Sequence, residues 1–208
     1  MSKSVASHVV LVAALAVAGA AALHAADRDG DRQHGRGRGR VERPAVPANL
    51  EVGAEFRPYL LTHAQGTQNY LCLPTATGVA WTFFGPQATL FDDSLTQVTT
   101  HYLSANPLEN GLPRATWRHS RDTSTVWAMA VESSTDSVYV APGAVPWLKL
   151  QVVGAQYGPH WGNALTATTY IQRVNTSGGV APATGCAGTT DVGKRALVPY
   201  TTDYVFYR

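Results

Sequence analysis

From about residue 50 to its end, the chain is written in short β-branched and aromatic segments, with turn-forming residues in nearly every gap between them. Ten such segments can be marked, at 57–63, 68–73, 79–84, 88–91, 97–103, 115–119, 125–131, 147–153, 167–174 and 198–207. Gly, Pro, Asn and Asp fill the gaps, and these supply the positive φ, the fixed φ or the side-chain-to-backbone bonds that turns need. Val79, Trp81 and Phe83 are spaced by two, as are Val198 with Tyr200 and Tyr204 with Phe206, so each set shares one face of a strand. Only residues 162–172 offer a stretch in which a helix competes. A chain built of many short strands is all-β, and it buries their alternate residues either between two sheets or inside one closed sheet. A β-sandwich with long loops is the first expectation and a closed or partly open β-barrel the alternative, because strand spacing does not count sheets. Roughly 160 residues are enough for one hydrophobic core, and 50–208 is read as a single domain.

What precedes that domain sets its compartment. Residues 9–26, VVLVAALAVAGAAALHAA, follow a short head with Lys3 and His8 and close on the small residues Ala25 and Ala26. That layout is a secretory signal peptide spanning 1–25. A membrane anchor is the competing reading, since the run approaches the roughly 20 residues that span a bilayer; its alanine richness and small-residue close favour cleavage. The expected location is therefore secreted, or periplasmic and cell-envelope, with no stable membrane insertion once the leader is removed. In such an oxidising space the two cysteines, Cys72 and Cys186, are expected to be bridged. Closing a loop of about 100 residues is worth roughly 4.7 kcal/mol in the chain-entropy account. Neither cysteine belongs to a Cys-x-x-Cys or has a histidine at ligand spacing, so no metal site is expected there.

Charge divides by segment. Residues 27–43, DRDGDRQHGRGRGRVER, carry Arg28, Arg32, Arg36, Arg38, Arg40 and Arg43 against Asp27, Asp29, Asp31 and Glu42. From residue 44 onward nine basic residues face ten acidic ones. A nucleic-acid binder would carry its basic face on the domain itself, so nucleic acid is excluded as a partner. The Gly/Arg run has little apolar surface to bury, and 26–49 is read as a disordered tether.

Gly66-Thr-Gln68, Tyr70-Leu-Cys72, Trp81-Thr-Phe83, Pro86-Gln-Ala88-Thr-Leu90-Phe91, His101, Trp117, Pro146-Trp147-Leu148-Lys-Leu150, Ile171-Gln-Arg173-Val-Asn-Thr176-Ser-Gly178-Gly179, Pro182, Cys186 and the ending Tyr200 to Tyr207 follow one another in a recognisable order. Over roughly residues 50–207 this series resembles the domain-of-unknown-function family 3455, secreted proteins of bacteria and fungi. The resemblance implies a secreted, cysteine-containing domain without an established biochemical role. The chain departs from the family pattern after His101. Relatives place Gly-Pro-x-Trp and a tight Asp-Gly-Ser turn soon after the histidine, whereas here YLSANPLENGLPRAT separates His101 from Trp117, and Arg121-Asp122-Thr123-Ser124 stands at the turn. A longer, reshaped loop is expected, and a site built around His101 in relatives does not carry over directly.

No Gly-x-Ser-x-Gly elbow, His-Glu-x-x-His or Gly-rich phosphate loop is present. Convergence of His101 and His119 across a hairpin would be the basis of the alternative function, a secreted hydrolase with a His-based site. The first expectation is a non-catalytic module, without cofactor or metal, that binds a polar ring-containing ligand such as a glycan. Trp81 and Trp147 sit in apolar strands and read as core. Trp117 in RATWRHS and Trp161 in YGPHWGN stand among polar residues. With His119, His160 and His101 they are the ligand-facing candidates, since aromatic faces suit sugar rings and loops on a rigid scaffold carry recognition. A structural envelope or surface protein is the third reading.

Overall fold

In the computed structural model, which describes residues 40–208, the ten segments condense into eight strands. These are β1 (Pro58–Thr75), β2 (Gly78–Phe91), β3 (Gln97–Asn106), β4 (Leu112–His119), β5 (Thr125–Ser134), β6 (Trp147–Gln156), β7 (Tyr170–Gly178) and β8 (Arg195–Tyr207). The expected signal peptide and residues 26–39 of the expected tether lie outside the described residues. Glycines that read as breaks turn out to lie inside strands. Gly66 lets β1 run through because a Cβ there would sit 2.1 Å from the Gln87 carbonyl oxygen of β2. Gly85, at φ +146°, stands at the bulge where the β1–β2 register shifts between Asn69 and Tyr70. Such bulges bend a strand without ending it.

Every strand pairs antiparallel with its chain neighbour, and β8 returns to β1, Tyr204 opposite Thr62 and Phe206 opposite Leu60. The sheet is a closed eight-stranded barrel without free edges. The all-β class is as expected, and of the two architectures left open it is the barrel. The sandwich gives way because the long, bulged β1 is paired with both β2 and β8. Connections alternate between two ends: residues 92–96, 120–124 and 157–169 at the lower end, and 76–77, 107–111, 135–146 and 179–194 at the upper end.

The stretch expected as a reshaped loop after His101 is a hairpin. β3 continues to Asn106, whose Oδ1 accepts the Leu108 N–H at 3.1 Å, and Asn110 and Gly111 reverse the chain at φ 52° and 82°. His101 therefore stands directly opposite Trp117. Residues 162–172 form no helix; β7 begins within them.

Inward side chains from all eight strands fill the barrel, among them Leu90, Trp117, Val126, Leu150, Ile171 and Phe206, with Thr99 and His101 from β3 and Leu165 from the lower loop. Two smaller clusters lie outside it. Leu50 and Val46 pack with Trp147 and Val174, and Val41, Val52 and Phe56 with Val205 and Tyr207. The Arg43 guanidinium donates to the Val52, Gly53 and Phe56 carbonyls and lies 5.3 Å from the Tyr207 ring centroid. The expected boundary at residue 50 is corrected by these contacts: residues 41–49 belong to the folded unit. A reading weighted by Arg and Gly content passes over two valines that find apolar partners on the barrel's outer face.

Cys72 and Cys186 form a disulfide with Cα atoms 5.5 Å apart, across 114 residues of sequence. The bridge ties the 179–194 loop to β1 above the upper end, where Trp81 donates its indole N–H to the Thr184 carbonyl at 3.0 Å. Trp81 is half-buried there and takes no part in the core. Removal of the bridge by Cys72→Ser/Cys186→Ser is expected to cost about 2–4 kcal/mol through the unfolded chain. Denaturant midpoints should show that loss while the far-ultraviolet circular dichroism of the barrel persists; an unchanged midpoint would contradict it. No helix among the described residues is long and apolar enough to cross a membrane.

Candidate functional site

The barrel is packed only in part. In its lower half Leu90, Val126, Leu165 and Phe206 are fully buried and leave little room. On β4 and β5 three of the lining positions nearer the upper end are alanines, Ala115, Ala128 and Ala130, which add almost no bulk beside Pro113 and Met129. The result is a cavity of about 310 Å³ open toward the upper end, with Leu103, Leu148 and Leu150 on its apolar walls. Gln68, His101, Trp117, Arg173 and Tyr204 line it as well, and Arg114 stands there bound bidentate to Glu109 at 2.6 and 2.8 Å.

His101 is 3% exposed, and its Nδ1–H donates to the Thr116 carbonyl at 2.9 Å, which leaves Nε2 as the ring's acceptor. The ring stacks on Trp117, centroids 4.1 Å apart and planes 13° from parallel, and Tyr204 meets both rings edge-on at 5.2 and 5.4 Å. Burial pulls the His101 pKa down to about 3; the Arg173 charge works the same way and the bond to Thr116 opposes it. A neutral ring with so low a pKa, oriented by a carbonyl instead of a carboxylate, is poorly suited to general-base catalysis near neutral pH.

Hydrogen-bonding capacity is left over around this stack. Among the described residues six buried side-chain polar atoms lack a partner, and four of them are Gln68 Nε2, Trp117 Nε1, Tyr200 Oη and Tyr204 Oη. Native proteins leave few such atoms, and each costs about 1–3 kcal/mol; Gln68, Tyr200 and Tyr204 are near neighbours of one another, and Gln68, Trp117 and Tyr204 line the cavity. Burial raises the pKa of both tyrosines, which therefore remain protonated donors. Arg173 spends Nε and Nη2 on the Pro146 carbonyl at 3.1 and 2.7 Å. No ion pair among the described residues includes it.

A second concavity, about 700 Å³, lies outside the barrel over β1–β3, where Gln65, Thr67, Gln87, Thr89, Thr100 and Tyr102 face solvent. It is larger and somewhat more open, and none of the six unpartnered buried atoms belongs to these side chains. The interior cavity is the better candidate.

The residues singled out in the sequence divide between the two ends. His101 and Trp117 meet in the cavity, whereas His119, His160 and Trp161 do not line it. Trp117 lies in a strand, as the segment 115–119 predicts, but it is 0% exposed on β4 and does not face solvent. The polar surroundings in RATWRHS are an effect of the two-residue strand period, which sends Arg118 outward and Trp117 inward. His119 Nδ1 lies 2.8 Å from Asp122 Oδ1. Burial works against ionisation of Asp122, but the Ala164 N–H, the Ser124 hydroxyl and N–H and the His119 charge hold its pKa at about 2. Through Ala164 this corner anchors the 157–169 loop. On that loop His160 is exposed and Trp161, 82% exposed at φ 60°, stands edge-on to Tyr157 with centroids 6.1 Å apart. His63, on the outer surface, is held between Asp203 at 2.7 Å and Asp93 at 2.9 Å, so both its nitrogens are engaged. Among the described residues no cluster of three or more His, Cys, Asp or Glu side chains could hold a metal.

Sequence reasoning did not select Gln68, Arg173, Tyr200 or Tyr204 as site residues. Their signal is a polar group in the apolar phase of a strand, as in Ala64-x-Gly66-x-Gln68 and Ile171-x-Arg173. No curated protein and no solved structure matches this chain. The family model described as "Protein of unknown function (DUF3455)" matches residues 53–208. That match takes in all eight strands, both cysteines and every cavity residue, and the chain belongs to the DUF3455 family of proteins of unknown function.

Proposed function

We propose that this is a secreted, non-catalytic module that holds a small, polar, ring-containing ligand in the upper half of its barrel. The observation that carries the reading is the group of unpartnered buried polar atoms, Trp117 Nε1, Gln68 Nε2 and Tyr204 Oη, on side chains that line an open cavity. A volume of about 310 Å³ stands at the lower end of ligand-pocket sizes and suits a single ring better than an extended glycan chain. Recognition here runs through the edge of Trp117, because His101 covers one of its faces. The apolar leader and the Cys72–Cys186 bridge support export.

Titration of the full-length mature protein with a panel of monosaccharides and monocyclic aromatic compounds, followed by the indole N–H resonances, tests this. At least one compound is expected to shift the Trp117 resonance at a 1:1 ratio, and Ala115→Leu, which fills the cavity, should remove that response while the barrel stays folded. A response confined to Trp161 would move the site to the exposed lower loop. No response from any indole would favour the structural envelope reading.

A further inference from the structure

Resting on the reading of the upper cavity as a ligand site, we infer that its ligand is a ring-bearing monocarboxylic acid, whose carboxylate is received by Arg173 with Gln68, Trp117 and Tyr204 donating around it.

The sign of the charge comes from Arg173. Arg173 is half-buried at the cavity, where partial desolvation favours pairing with an anion, and no carboxylate among the described residues pairs with it. Its Nε and Nη2 both go to one neutral oxygen, that of Pro146. That fork fixes the plane of the group and turns its other N–H bonds toward neutral neighbours, among them the Tyr204 hydroxyl. The second cation at the cavity, Arg114, is already neutralised by Glu109. No acidic side chain lines the cavity at all.

The donor census agrees. Trp117 Nε1 and the Arg173 nitrogens can only donate, and Gln68 Nε2 carries two hydrogens. The Tyr204 hydroxyl also lacks an acceptor. Against these stand two acceptors, His101 Nε2, left by the bond from Nδ1 to Thr116, and Gln68 Oε1. A group that meets this surplus must be rich in lone pairs, and a carboxylate offers about four acceptor positions in one plane. One unpaired cation balances one negative charge; a phosphate dianion would leave a net charge inside the barrel. Leu103, Leu148 and Leu150, with the alanines of β4 and β5, provide an apolar wall for the ring itself.

Calorimetric titration of the mature protein with benzoate and glucuronate, each against its uncharged counterpart benzamide or glucose, tests the inference. At least one acid is expected to bind about tenfold or more tightly than its counterpart, with a shift at the Trp117 indole. Arg173→Gln should remove that advantage, so that acid and neutral compound bind alike, while Arg173→Lys keeps part of it. Equal binding of acid and neutral probe at the Trp117 indole would overturn the carboxylate and leave the cavity as a ligand site. Absence of binding by all four would overturn both. If Arg173→Gln does not fold, the comparison of acid with neutral probe on the native protein decides the sign by itself.

Discussion

Trp117→Ala is expected to cost about 3–5 kcal/mol, toward the lower figure, whereas Trp161→Ala should stay within about 0.5 kcal/mol of the native protein. Trp117 is 0% exposed and Trp161 82% exposed. Truncation of Trp117 removes the stack with His101 and the edge contacts with Tyr204 and Phe206, centroids 5.4 and 6.3 Å away. Two features moderate the loss. The void would adjoin a cavity already open to solvent, so water can enter it, and the unpartnered indole N–H disappears with the ring. Trp117→Phe separates these contributions in part, because it removes the donor and some ring volume but keeps much of the buried area; its cost should be clearly smaller. Denaturant midpoints of the three variants at neutral pH provide the comparison. Equal stabilities for Trp117→Ala and Trp161→Ala would mean that the barrel is not packed around Trp117.

The barrel and its candidate site were unequally visible in the sequence. Strand positions and the Cys72–Cys186 bridge were legible because each follows from local composition: β-branched runs between turn residues, and an even cysteine count behind an apolar leader. Closure was not. It depends on β8 meeting β1 across more than a hundred residues, and no local pattern records that pairing. Gly66 and Gly85 show the same limit on a smaller scale, since a glycine that ends a strand and one that admits a neighbouring backbone look identical in sequence. Within the site, His101 and Trp117 were selected as members of a set that the barrel then divides between its two ends. Polar sequence neighbours do not mark a ligand-facing side chain, since alternation places polar residues beside every inward side chain of a half-buried strand. Gln68 and Arg173 carried a better signal, a polar residue in an otherwise apolar phase. It became readable only once the phase of each strand was known.

Acid should destabilise the folded protein, and His101 sets where that begins. The folded pKa is lowered to about 3 from an ordinary 6.5, mainly by burial. Above the unfolded value the ring is neutral in both states and its contribution is fully present. Between about 6.5 and 3 the unfolded chain takes up a proton that the barrel refuses, so stability falls as pH falls, by about 1.4 kcal/mol per unit and about 5 kcal/mol over the whole window. The open mouth of the cavity lets water reach a protonated ring, which makes that total an upper figure. Other groups act elsewhere on the scale. Asp122, held at about 2, loses its contribution only as pH falls below the ordinary carboxylate value of 3.8. His63 is raised by hydrogen bonds to Asp93 and Asp203, so its contribution is retained in acid and lost as pH rises through that raised value. Urea midpoints from pH 7.5 to 4 for the native protein and for His101→Gln isolate the one group, since glutamine cannot titrate and retains a donor for the Thr116 carbonyl. The native protein should lose stability steeply below pH 6.5 and the variant much less. Parallel curves would mean that His101 takes up its second proton in the fold as readily as in the unfolded chain, near its ordinary pKa of about 6.5. Nε2 would then be a donor as well, and the cavity would hold two positive charges, His101 and Arg173, with no carboxylate among its own lining residues to meet them.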